Sequence, residues 1–112
     1  MIHMTNETQI LLASEPADFR KGLDGFIALC QLSLAQNPRS EARFVFINKN
    51  KTMIRVLSFD GTGFWLMTKR LSKGKFQGWP SRGNVVSAFS ALQLSIFLKG
   101  KWSPAVQVKN AS

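Results

Sequence analysis

The chain has 112 residues, room for one domain burying about 65% of its unfolded surface. Its 45% hydrophobic content fits a folded protein, not a disordered one. Fifteen Lys and Arg against six Asp and Glu give a net charge of +9, which points to a polyanionic partner, nucleic acid ahead of an anionic membrane surface.

Residues 1–9 read as a loose, polar arm. With Glu7 in it, the arm is no signal peptide. Residues 10–13 are apolar and predict a first strand, broken by Glu15-Pro16-Ala17-Asp18. Leu23, Phe26, Ile27, Cys30 and Leu34 then recur at steps of three and four, one face of an amphipathic helix. Asp18 is placed to cap that helix or to favour its positive end. Gly22 and Gly25 are unfavourable inside a helix. Either they allow close packing on a sheet or the helix starts only after Gly22. Cys30 is the only cysteine. It excludes an internal disulfide, suits a reducing cytoplasm and reads as buried filler before reactive thiol.

Residues 44–47 predict a central strand buried on both faces. Asn48-Lys49-Asn50-Lys51 is a turn. The strand over 52–59 alternates, with Met53, Arg55, Leu57 and Phe59 on one face and Thr52, Ile54, Val56 and Ser58 on the other. Arg55 is expected to pair with an acid such as Asp24. Asp60-Gly61-Thr62-Gly63 is a hairpin turn into a strand over 64–71, and Ser72-Lys73-Gly74-Lys75 a turn into a short last strand over 76–79, stopped by Pro80. Residues 85–89 allow one more strand. Ser90 and Gln93 form a capping box for a second helix over 91–99, with Gly100 as its C-cap. Residues 103–112 read as an irregular tail. No apolar run approaches the ~20 residues of a membrane span. The expected fold is α+β in a single domain over 1–112: an antiparallel meander of four to six strands packed against two helices.

The charge is unevenly spread. Residues 1–48 carry a net of −1, and residues 83–112 add +3. Residues 49–82 hold Lys49, Lys51, Arg55, Lys69, Arg70, Lys73, Lys75 and Arg82 against Asp60 alone, a net of +7. Such cations on turns and outward strand positions neutralise phosphates and release counterions. Trp65, Phe76 and Trp79 can stack on bases if exposed, although a core place is the expectation for Trp65. The bland alternative is that the lysines only keep strand edges soluble.

Catalytic chemistry finds little footing. With one Cys and the single His3, neither common zinc set can be built, and no Ser–His or Cys–His pair is available. There is no Walker loop and no GxGxxG. Asp18, Asp24 and Asp60 would have to converge for a Mg²⁺-dependent nuclease, yet Asp18 and Asp24 point to different helix sides. No enzyme activity, cofactor, metal or small-molecule substrate is expected.

Several motifs in order carry a resemblance. Asp18-Phe19-Arg20-Lys21-Gly22-Leu23-Asp24-Gly25-Phe26 is similar to a D-M-R-K-G-F-D-G-L signature, followed by Phe44-Val45-Phe46, a basic turn, Phe59-Asp60, Gly63, Lys69-Arg70-Leu71, Gly74, Phe76, Trp79-Pro80, Ser90-x-x-Gln93-Leu94 and Gly100. Across residues 10–102 the chain resembles the TnpB accessory proteins of insertion-sequence-66-type elements. That resemblance implies a bacterial mobile-element protein that assists transposition by a separate transposase, with no catalytic residues to transfer. It marks Gly22, Asp24, Gly25, Asp60, Trp79 and Pro80 as signature positions of unassigned role. Arg20 and Lys21 belong to the same signature, and they join Lys49, Lys51, Lys69, Arg70, Lys73, Lys75 and Arg82 as candidate nucleic-acid contacts. The family's Arg-rich turn is Asn-Lys-Asn-Lys here, which keeps the charge but not bidentate guanidinium contacts. Two readings follow: an accessory factor that binds the element's DNA through a basic sheet face, or a subunit that docks on the transposase without touching DNA.

Overall fold

The computed structural model describes residues 9–80 and the backbone of 86–89. Five strands form one sheet: β1 (Ile10–Ala13), β2 (Arg43–Ile47), β3 (Met53–Phe59), β4 (Phe64–Arg70) and β5 (Val86–Phe89), in the order β4-β3-β2-β1-β5. Only β2, β3 and β4 form the expected meander. β1 pairs parallel with β2, and β5 lies antiparallel on its other side.

The fold is α+β, but the expectation of an antiparallel meander against two helices is corrected on two counts. The sheet is mixed. A helix separates β1 from β2, so the chain crosses over the sheet and returns in the same direction, which a hairpin cannot do. Second, a single short helix is described. It runs over Leu23–Ala28 (α1) and widens into a π-helical segment, Leu29–Ser33, in which Leu34 N–H reaches Leu29 O at 3.1 Å. The second expected helix, over 91–99, lies outside the described residues.

Helix one does begin after Gly22, which occupies the N-cap position without a side-chain cap. Asp18 therefore does not cap it. Asp24 is the acid in its first turn, where the helix dipole favours a negative charge. Gly25 has a packing reason: a Cβ there would stand 2.7 Å from Lys21 Cβ.

The sheet is covered on both faces. On the helix side Phe26, Cys30 and Leu34 pack with Phe44, Phe46 and Leu57. Phe26 meets Phe46 edge-on at 5.0 Å. On the other side Ile10, Leu12, Val45, Ile47, Ile54 and Val56 are covered by Phe76 and Trp79. Residues 76–79 are thus not the expected last strand. They cross the face of the sheet as irregular chain, with the Trp79 indole N–H donating to Ala13 O at 2.9 Å. Two buried apolar layers, one on each face, explain why the middle strand β2 is apolar without alternation.

Candidate nucleic-acid interface

The turn between β2 and β3 is built around Asn48. Its side chain is buried; Oδ1 accepts from the backbone N–H groups of Thr52 (2.9 Å) and Met53 (3.0 Å), and Nδ2 donates to Thr52 Oγ1 at 3.0 Å. This arrangement holds Lys51 at φ +61, a left-handed conformation that lysine takes at a cost. The positive φ of this turn falls on Lys51, although asparagine is the residue of the turn that tolerates it better. Lys49, Asn50 and Lys51 are exposed on this turn.

Three connections draw other segments to the same end of the sheet. Leu71 N–H donates to Thr52 O at 3.0 Å and Phe76 N–H to Lys51 O at 2.8 Å, so the turn carrying Lys73 and Lys75 abuts the turn carrying Lys49 and Lys51. Arg70 pairs with Met53 in the β3–β4 register, which sets Lys69 and Arg70 at this end as well. Ala17 forms an isolated parallel bridge with Asn48, its N–H donating to Ile47 O at 2.8 Å. That bridge brings in Asp18, Arg20 and Lys21. Lys21, Lys69, Arg70, Lys73 and Lys75 are all exposed. Glu15 lies at this end too. The hairpin of Asp60 closes the opposite end of β3 and β4. Arg82 lies outside the described residues.

Arg20 and Asp18 form an exposed pair, Nη2 to Oδ2 at 2.8 Å and Nε to Oδ1 at 3.0 Å, and Arg20 N–H also donates to Oδ1. The hydrogen bonds from Arg20 hold the Asp18 carboxyl well below the usual carboxylate range and raise Arg20 in turn. The Arg20 fork is thus already engaged within its own loop.

The segment 18–21 is fastened to the sheet by a residue whose partner the sequence did not show. Arg55 Nη1 donates to Phe19 O at 2.8 Å and to Lys21 O at 3.0 Å, and Nε donates to Thr68 Oγ1 at 2.8 Å. Its guanidinium sits 4.8 Å from the Phe19 ring centroid and 5.3 Å from that of Phe26, within cation–π range. The expected pairing with Asp24 does not occur. Arg55 fixes the signature loop instead, and its charge faces backbone carbonyls and rings.

Between this loop and the Asn48 turn lies an open groove of about 720 Å³, lined by Pro16, Ala17, Phe19, Arg20, Lys49 and Asn50, with Met53 and the Asp18–Arg20 pair also on its wall. Trp65 stands apart from it. It is 51% exposed, against its expected core place, and its indole N–H donates to Asp60 Oδ2 at 2.8 Å. Phe76 and Trp79 are buried, so stacking on bases is closed to them. Among the described residues no three of His, Cys, Asp and Glu gather as metal ligands would, and no helix is long and apolar enough to cross a membrane.

A family profile described as IS66 Orf2-like protein matches residues 8–107. The chain is also similar to two uncharacterized proteins of Sinorhizobium fredii (strain NBRC 101917 / NGR234). With y4jC it is 38% identical over 76 residues, 68% of this chain and 65% of the relative. With y4hO it is 33% identical over 100 residues, 89% of this chain and 86% of the relative. The chain thus matches slightly less than two thirds of the length of y4jC. No solved structure matches.

Proposed function

The chain belongs to the IS66 Orf2-like family, a family of insertion-element accessory proteins, and from that premise we propose that it assists transposition by binding DNA, without catalysing a step itself. In this reading it acts in the cytoplasm beside its transposase, and the DNA lies across the basic end of the sheet. The observation that carries the reading is convergence. Lys49, Lys51, Lys69, Arg70, Lys73 and Lys75 belong to two turns and a strand end that hydrogen bonding and register hold together, with Lys21 on the adjoining loop. Asp60, the single acid of the basic region, is at the other end. A cluster of exposed cations on short, fixed turns is suited to phosphate contact, which supplies affinity without base preference.

Fluorescence anisotropy with a duplex of the element's terminal sequence tests this. Affinity should fall steeply as salt rises from about 50 to 200 mM. The variant Lys69→Ala/Arg70→Ala/Lys73→Ala/Lys75→Ala should keep its circular dichroism spectrum and lose up to about 3.6 from the slope of log affinity against log salt. Absence of binding at low salt would remove the reading. Nuclease-resistant capture of the transposase by a protein that binds no DNA would replace it with the docking alternative.

A further inference from the structure

We propose that the groove between residues 16–20 and 48–50 accepts an unpaired base of the DNA strand whose phosphates the surrounding cations hold. The inference rests on the DNA-binding reading above and adds a second ligand feature to it, single-stranded character. Four observations carry it.

The groove is concave and of ligand size, about 720 Å³, inside the range of small-molecule sites. Its chemistry is divided as a nucleotide's is. Pro16, Ala17, Phe19 and Met53 offer apolar wall, while Lys49 stands on the lining with Lys51 close by in sequence and Lys21 on the facing loop; Arg20 also lines the groove, with its guanidinium paired to the Asp18 carboxylate on the same wall. An apolar planar base with anionic groups on either side matches that division. Bases stacked within a duplex keep their faces from any such wall, so only an unpaired or extruded one fits.

The walls are also fixed in advance. Ala17 is bridged to Asn48, and Arg55 holds the carbonyls of Phe19 and Lys21, so little ordering is left for the ligand to impose. Finally, the two asparagines of the lining differ. The Asn48 amide is consumed within its own turn. No described hydrogen bond uses the Asn50 amide, which is exposed at the groove. A free amide pairs bidentately with the edge of adenine. An acidic, apolar peptide would share part of this complementarity but has no need of the amide, and the base is therefore the occupant chosen.

The test compares two fluorescein-labelled probes at fixed salt: a blunt duplex of element-terminal sequence, and the same duplex extended by a short adenine tail. The wild-type protein should bind the tailed probe about tenfold more tightly, within what one stacked base contributes. Asn50→Ala should remove most of that preference and leave the affinity and salt slope for the blunt probe unchanged. Ala17→Phe, which fills the groove, should remove it entirely. If Ala17→Phe does not fold, Asn50→Ala alone decides the matter. Equal binding of both probes by the wild type overturns the groove inference and leaves DNA binding standing. Binding of neither probe overturns both. A tail preference that survives both variants overturns the inference, as does loss of transposase capture in Ala17→Phe with the tail preference intact, which assigns the groove to a peptide.

Discussion

Asp60 accepts four hydrogen bonds from three nearby residues: Thr62 N–H, Thr62 Oγ1 and Gly63 N–H to Oδ1, and the Trp65 indole N–H to Oδ2. These donors, the Thr62 N–H foremost, hold its carboxyl well below the usual range. The folded-state value is thus lower than the unfolded one of about 4. The stabilisation is therefore complete above about pH 4 and is lost as pH falls toward the folded value. Asp60→Asn should lower the melting temperature at neutral pH, since an amide N–H would face the Trp65 indole N–H. It should also flatten the decline in melting temperature between about pH 5 and pH 2, read by thermal scans in each buffer. A decline as steep as the wild type's would assign the acid sensitivity to other carboxylates. Cys30 is the quiet counterpart. Burial pushes its thiol up to about 11, so it packs as the filler its helix face suggests. Arg55 is the residue whose role is least legible in the sequence. Its mid-strand position announces a role, but its partners are carbonyls more than thirty residues away, and backbone acceptors leave no mark on the sequence.

At the scale of elements, what could be read was what is decided locally. β2, β3, β4 and the turns at Asn48, Asp60 and Gly74 follow from alternation and turn residues within a few positions of each other; Gly61 and Gly74 sit at φ +96 and +78, where glycine is at ease. The segment 76–79 looks like a strand in sequence because aromatic residues favour strands, while its partner in the structure is the face of the sheet. Trp65 departs from its expected core place for the reverse reason: β4 is an edge of the described sheet, and the strand's outer position leaves half the residue in solvent. The helix's change to π geometry has no sequence signal we recognise. The cross-face segment is a large structural investment. Phe76 is 1% exposed, and Phe76→Ala should cost about 3–5 kcal/mol, measured as a lower urea midpoint. The neighbouring exposed Gln77→Ala should stay within about 0.5 kcal/mol of wild type. Equal effects would mean that the sheet face is sealed by something other than this segment.

At the scale of the molecule, a charge count along the chain found the basic region, but not that Arg20 and Lys21, in the acidic half, adjoin it. That contact depends on the parallel β1–β2 crossover, which returns the chain to the Asn48 turn. The same topology predicts an uneven distribution of stability. The meander closes short loops, whereas β1 meets partners about 30 and 75 residues away, and long closures are entropically dearer. In native-state hydrogen exchange, amides of β2 and β3 should exchange only through global unfolding, and those of β1 at its β5 edge through smaller openings. Uniform protection across the sheet would contradict this. A further consequence concerns synthesis on the ribosome. β1 is made first, is apolar and buried in all four residues, and lies between strands made later. Its parallel neighbour arrives after residue 47 has emerged and its second only after residue 89. Throughout that interval the nascent chain carries a sticky, half-paired strand, so slower elongation or scarce chaperone should lower the yield of this protein before any defect in the finished fold is felt.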